Sequence, residues 1–595
     1  MRYIITRFIL CGVIFLVVPA MVLADLVPTA NTTIFGPNVY VFDSSMPAAG
    51  IQGIAAGIFT KMEANQFGTE RYALFFKPGE YHVNFNVGFY TQVAGLGQNP
   101  DDVQIKGGVN VNAQWMKNAN ATCNFWRSLE NFAITPLSAK GFTRIAVSQA
   151  APLRRLHIKG DLQMFDFDAR WNAGWGSGGF LADSVVDGNV VPASQQQWLS
   201  RNCKWANWGN AVWNMVFVGC LNSPAGAFPK PAYTVIERTP VIREKPYLYI
   251  DKTGSYRVFV PALQTDTKGV SWAAGPTPGT SIPIEEFYIA QPETGSATRI
   301  NAALAAGKHI LFTPGIYSLD DTLRVTKPNT IILGLGVPSL IQTSGQPAIA
   351  VADVDGVTIA GMTLEAGAVN SPCILEVGSK GRTADHNANP TFLYDLTVRT
   401  GGATAGKNDV GVVINSQNVV VDQIWIWRAD HGAGASWFTN PTKNGLVVNG
   451  NNVTIYGLFN EHHEQYQTLW NGNNGRVYFY QSEMPYDVPN QASWMSGSIN
   501  GYASYKVADT VTSHEAWGLG IYSFFRDAAV KVNSAVEAPN VKGVKFHNLT
   551  TVWLNGKAGS EITHVINNVG GRVYAGSPAE AMRQTYNNFE GVTAR

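Results

Sequence analysis

Short β-branched runs, punctuated by glycine, asparagine and aspartate, recur along most of the chain. Residues 103–106, 131–134, 155–158, 330–333, 356–359, 418–421 and 452–456 are of this kind. Runs bounded by such turn residues predict strands. Two phrases, VDGVTIAGMTL at 354–364 and QNVVVDQIWI at 417–426, read as paired strands joined by a tight corner. Strand, corner, strand, with apolar side chains stacked inward, is what a parallel β-helix needs. The regular blade spacing of a propeller and the hairpin turns of a sandwich are absent.

A duplication supports the same reading. LFFKPGEY at 74–81 reappears as ILFTPGIY at 310–317. A strand-like run and then Gly-Leu-Gly follow each copy, at 95–97 and 334–336, and an Ala/Ile-rich helical segment precedes each, at 51–59 and 300–306. AVSQ at 146–149 is echoed by VINSQ at 413–417. The chain therefore divides into two related halves. The expected fold is all-β: two tandem right-handed parallel β-helices, pectate-lyase-like solenoids forming one rigid unit. The expected segments are a signal peptide (1–24), an N-terminal β-helix (25–235), a connecting segment (236–285) and a C-terminal β-helix (286–595).

Composition narrows the class. Only 14% of residues are charged and the net charge is +1, so nothing points to nucleic acid or an anionic membrane. Abundant glycine (59) and tryptophan (16) fit a β-rich protein that handles carbohydrate. Arg2 and Arg7 precede an apolar run that ends Val22-Leu23-Ala24, which predicts a cleaved signal and an extracellular protein. No later stretch is long and apolar enough to cross a membrane. Cys11 leaves with the signal, and Cys123, Cys203, Cys220 and Cys373 remain. Two disulfides are permitted, and Cys203–Cys220 is the most local pair. Sequons stand at Asn31, Asn120, Asn452 and Asn548.

Glu461 and Glu483 lie 22 residues apart, each just beyond a strand-like run, 455–459 and 477–480. A solenoid coil takes about 20–30 residues, so the step places both carboxyls on one face, about 4.8 Å apart along the ladder. Glu483 is the better proton donor. Tyr480 and Tyr486 flank it, Trp470 and Trp494 are near in sequence, and desolvation raises a carboxyl pKa. A neighbouring Glu461 pushes the same way. No Walker loop, zinc-protease motif or Gly-x-Ser-x-Gly elbow occurs. His462 and His463 are adjacent and point to opposite faces of a strand, which argues against a shared metal. Asp320-Asp321 reads as a solvated turn. WIWRADH at 425–431 is faintly similar to the calcium-binding corner of pectate lyases, but lacks an acidic cluster and reads as a corner. A polysaccharide lyase and a non-catalytic glycan-binding β-helix stay open as alternatives.

EHHEQYQTLWNG (461–472) and GRVYFYQSEMPYD (475–487) resemble glycoside hydrolase family 55. So do WLSRN (198–202), WNMVFVG (213–219) and SHEAWGLG (513–520). That family consists of exo-acting, inverting β-1,3-glucanases built from tandem β-helices. The resemblance implies Glu483 as general acid, Glu461 in the same site, no metal or other cofactor, and a monomer acting on β-glucan. It implies an attacking water oriented by Gln and Ser of the first half, for which Gln149, Ser177 and the 195–197 run, Gln196 included, are candidates. Trp175, Trp205, Trp208, Trp437, Trp470, Tyr486 and Gln196 are the candidate sugar contacts, tryptophan offering a broad apolar face with a polar handle. Inversion needs carboxyls about 6.5–9.5 Å apart, against about 5–5.5 Å for retention. Adjacent coils predict the smaller spacing, which assigns Glu461 to tuning Glu483 and leaves another group to hold the water.

Overall fold

The computed structural model describes residues 34–137, 141–576 and 582–592. The expected signal peptide and the Asn31 sequon lie outside them. The chain is nearly all β and forms two parallel β-helices. In the first, Val39–Phe42, Tyr72–Phe76, Thr91–Gly95 and Arg127–Pro136 begin a parallel ladder that continues through Gln197–Arg201 to Tyr233–Ile236. In the second, a ladder runs from Phe287–Ala290 through Phe392–Thr400, Val420–Arg428, Thr454–Glu461 and Gly475–Glu483 to Val544–Gly556. Arg583–Glu590 pairs antiparallel with Val544–Gly556 and covers the open edge.

Apolar residues stack in register inside the second solenoid. Ile332, Ile359, Leu393, Val421, Ile455 and Val477 follow one another coil by coil, all buried. The alternate positions are buried too, because they face the other solenoid. Phe392, Tyr394, Tyr456 and Tyr478 share one core with Phe180 and Leu199 of the first half. Burial on both faces explains why these strands read as apolar runs and not as simple alternation. A left-handed residue bends the later coils at one register position: Asn131, Arg155, Asp183 and Asn202 in the first half; Asp395, Gln423, Gly457 and Phe479 in the second.

The duplicated motif closes the first coil of each half. Tyr81 donates its hydroxyl to the carbonyls of Phe42 (3.1 Å) and Lys77 (2.8 Å). Tyr317 repeats this with Ala290 (2.8 Å) and Thr313 (2.9 Å). The helices Ala48–Met62 and Ala297–Ala305 precede these coils. Between the halves, Thr239–Ile242 pairs with Gln264–Thr267, and Tyr247–Ile250, Tyr256–Pro261 and Gly279–Pro283 form a small antiparallel sheet.

The expected Cys203–Cys220 disulfide is not formed, and all four described cysteines are free thiols. Cys203 and Cys220 sit on successive coils, and each sulfur bonds to backbone carbonyls: Cys203 to Leu181 and Arg201, Cys220 to Ser200 and Val218. They act as small buried core residues.

A buried ion network joins the two solenoids. Arg154 bonds Asp395 and Asp422, both at 2.6 Å. Arg201 bonds Glu244 at 2.7 Å and Asp422 at 2.9 Å. Lys245 bonds Glu130 and Asp395, each at 2.9 Å. Removing one partner of a buried ion pair leaves a bare charge, at a cost of about 3–5 kcal/mol. Arg201→Met is therefore expected to lower stability by about that amount, read as a lower midpoint in thermal or denaturant unfolding; an unchanged midpoint would contradict this role.

Candidate active site

Glu461 closes the strand Thr454–Glu461, and Glu483 closes the next coil's strand, Gly475–Glu483. Tyr456 pairs with Tyr478 and Phe459 with Gln481, so the 22-residue spacing is one coil. His462 N–H donates to the Glu483 carbonyl at 3.0 Å, tying the two strand ends together.

Both oxygens of Glu461 are engaged. Gln149 Nε2, from the first solenoid, donates to Oε1 at 3.1 Å, and Trp425 Nε1 donates to Oε2 at 2.9 Å. Burial pushes the Glu461 carboxyl up, partly offset by His462 and by the Trp425 and Gln149 donors. Glu483 is 9% exposed, against 2% for Glu461. Gln481 Nε2 donates to its Oε1 at 3.3 Å, and the Tyr486 hydroxyl donates to its Oε2. Burial drives its pKa well above the usual range, and the charges of Glu461 and Asp430 add to this.

Asp430 is the third carboxyl. Burial pushes it up, but a 2.9 Å hydrogen bond from His431 and the nearby His462 more than offset this and bring it to about 2. His462 Nε2 stands 3.9 Å from Asp430 and 4.0 Å from Glu483, its ring edge-on to Tyr486 at 4.4 Å. The site thus holds a carboxylate that stays ionised beside a carboxyl that stays protonated.

The first solenoid supplies neutral polar groups. Gln149, at the unusual φ of 22°, receives Gln423 Nε2 on its carbonyl at 3.3 Å. Ser177 N–H donates to Ser148 Oγ at 2.9 Å, and its carbonyl accepts from Gln197 Nε2 at 3.0 Å. The Tyr522 hydroxyl donates to Gln197 Oε1. Gln196 is half-buried, and its N–H donates to the Gly176 carbonyl. The Oε1 atoms of Gln149, Gln423 and Gln481 are buried with no protein donor. Two of these acceptors, on Gln149 and Gln481, belong to side chains that bond Glu461, which suits a site that receives a water or a sugar hydroxyl.

Several expected contacts lie elsewhere. Trp470 is fully buried inside the second solenoid, against Tyr505 and His514. Trp205 and Trp208 are buried against Phe217 in the first. None of the three presents a face to sugar. Trp494 and Tyr480 are also core residues, so they do not desolvate Glu483 directly. Trp437 is half-buried, with the Arg428 guanidinium 5.4 Å from its ring, and Trp175 is half-exposed. Tyr486 lies on Glu483, as above. The functional neighbours missed in the sequence are Trp425, Asp430, His462, Gln481 and Tyr522. The signal for two of them was the 425–431 phrase, read there as a mere corner. A concavity of about 570 Å³ lies near Asn84, Lys106 and Phe142, away from these carboxyls. Among the described residues no cluster of His, Cys, Asp and Glu is arranged to hold a metal.

Paired carboxyls of divergent acidity, set where two β-helices meet, define a glycoside hydrolase of the β-helical class. The LAM55 pectate lyase-like domain model matches residues 287–483. The chain is 50% identical over 537 residues to an exo-β-1,3-glucanase of Streptomyces sp. (strain SirexAA-E / ActE), covering 90% of this chain and 87% of that one. The solved structure of sacteLam55A from Streptomyces sp. SirexAA-E superposes with a TM-score of 0.89 at 48% identity, over 93% of this chain and 98% of that one. A variant of sacteLam55A, with one glutamate replaced by alanine and in complex with glucose, superposes with a TM-score of 0.88, at the same identity and coverage. A glucan 1,3-β-glucosidase of Cochliobolus carbonum is 24% identical over 327 residues, covering 44% of this chain and 41% of that one. The chain belongs to glycoside hydrolase family 55.

The raised Glu483 pKa has a stability consequence. Below about pH 4.3 the carboxyl is protonated in both folded and unfolded chains. As pH rises, the unfolded chain ionises first while the folded one holds its proton, so this group's contribution to stability is lost towards its folded pKa. Glu483→Gln, which does not titrate, is expected to be more stable than the parent by a margin that widens with pH. Melting temperatures of both proteins from pH 4 to 8 would test this; a constant difference would refute the raised pKa.

Proposed function

We propose that this glycoside hydrolase is secreted and removes glucose from the ends of β-1,3-glucan with inversion, Glu483 acting as general acid. The carrying observation is the contrast between the two glutamates. Glu483 is the more exposed, 9% against 2% for Glu461. Burial, with the charges of Glu461 and Asp430, raises the Glu483 pKa well above the usual range, whereas Glu461 is tied to Gln149 of the other solenoid and to Trp425. Glu483 gives its proton to the departing glycosidic oxygen as the bond to the anomeric carbon breaks. A water attacks that carbon from the opposite side and releases a proton to solvent, and Glu483 regains one from solvent, so charge balances over the turnover. Gln149 donates to Glu461, and this orientation leaves its Oε1 as the acceptor that holds the water. Glu461 thus sets the amide and, by its charge, adds to the burial that raises the Glu483 pKa. Holding the water on a neutral amide reconciles inversion with carboxyls on adjacent coils. The leader-like residues 1–24 support secretion, and a site built within one chain supports a monomer. Kinship with named β-1,3-glucanases supports the substrate and favours hydrolysis over elimination.

On laminarin, Glu483→Gln is expected to reduce kcat by about 10²–10⁴-fold; full activity in the variant would remove the assignment. Proton NMR of early product should show α-glucose first, and β-glucose first would contradict inversion. Glu461→Gln removes a neighbouring charge and lowers the Glu483 pKa. The alkaline limb of its kcat/KM profile should therefore move to lower pH, and an unmoved limb would count against the coupling.

A further inference from the structure

We propose that a pocket beneath the connecting segment is a binding site for a small organic anion, with Arg243 taking its charged head. The pocket, of about 360 Å³, lies between the connector's antiparallel sheet and the second solenoid. Val260 and Ile282 of that sheet and Ile331 of the solenoid supply apolar wall, while Thr280 and Thr358 add hydroxyls. That size and that mixture are those of a small-molecule site. No aspartate or glutamate lines it.

Arg243 selects for negative charge. Its Nη2 donates to Asn389 Oδ1 at 2.9 Å, and its guanidinium lies 5.3 Å from the centre of the Phe392 ring. These contacts fix the group without neutralising it. Among the described residues no carboxylate bonds Arg243, and its Nε is buried without an acceptor. Glu244, next in the chain, is committed to Arg201 at 2.7 Å. Asn389 is itself held, donating to Asn329 Oδ1 at 2.7 Å. Gly356, at φ +70°, makes room for that pair, since a Cβ there would strike both amides. A guanidinium fixed in this way suits the oxygens of a carboxylate or a phosphate ester.

The pocket is remote from the glutamates, and the inference does not rest on the role of Glu483. The register row of Ile331 and Thr358 continues through Phe392 and Val420 to Thr454, the first residue of the strand that Glu461 closes. The Tyr394 hydroxyl donates to the Arg243 carbonyl at 2.7 Å, and the Tyr456 hydroxyl to that of Val241 at 2.9 Å. The connector therefore covers the strand starts, whereas the glutamates stand at the strand ends. An anion held here leaves the glucan site free.

Benzoate and phenyl phosphate are suitable probes, with benzyl alcohol as their neutral counterpart and ligand-observed NMR titration as the readout. At least one anion should bind the parent in the millimolar range or tighter, and more tightly than the alcohol; the tighter anion names the head group. Arg243→Gln, which keeps a donor for Asn389, should weaken binding by about 10-fold or more. Thr280→Glu alters an exposed lining residue and brings a competing carboxylate to the pocket. It should weaken binding with Arg243 intact, which keeps the test valid if Arg243→Gln does not fold. Laminarin hydrolysis at the parent's rate reports that a variant is folded. Laminaritriose should not displace the anion. Binding that persists in the folded variants, equal binding of anion and alcohol, no binding of either anion to the parent, or displacement by laminaritriose would overturn the site.

Discussion

Asp422 receives two arginines from the other solenoid, and the site exists because of that meeting. Arg154 and Arg201 reach it from two coils separated by the one that carries Ala182, and Arg154 also takes Asp395. Such a network is not the most stabilising way to fill an interface, since well-packed apolar groups often do as well. It is, however, intolerant of misalignment. A slip of one coil would leave several buried charges bare. Arg154 follows Gln149 by five residues on the same solenoid, and Asp422 is next to Gln423, which bonds the Gln149 carbonyl. The register that satisfies the ions is the register that brings Gln149 to Glu461.

The site above this network keeps unfavourable features. Two carboxyls are buried side by side, three glutamine oxygens have no protein donor, and Gln149, Gln423 and His462 all hold positive φ. Each of these is locally unfavourable, and strain of this kind persists only where the surroundings over-determine it. Here the ladders and the ion network do so. The result is a rigid frame in which one carboxyl stays protonated and another, Asp430, stays charged, although both are largely buried.

Much of the architecture was legible because a solenoid repeats. The glutamate spacing is one coil, and the duplicated Pro-Gly-x-Tyr is a coil-closing tyrosine with the same two carbonyl acceptors in each half. The tryptophans were not legible, for a physical reason. Strands buried on both faces do not alternate, so nothing local separates Trp470, which points into its own solenoid, from Trp425, which points at Glu461. The two thiols misled in a similar way: closeness in sequence allowed a bridge, but they serve the core singly. Gln149 was reached only through family resemblance, because its partner lies 312 residues away and their meeting depends on how two solenoids face each other.

The shared bend has a further meaning. Because the coils that carry the site turn on left-handed residues at a common register position, the backbone spacing there is set by the ladder and not by the loops. Outward segments such as that bearing Trp175 can therefore lengthen, shorten or change sequence without shifting the glutamates. Such a molecule is free to vary what it grips while conserving how it cuts.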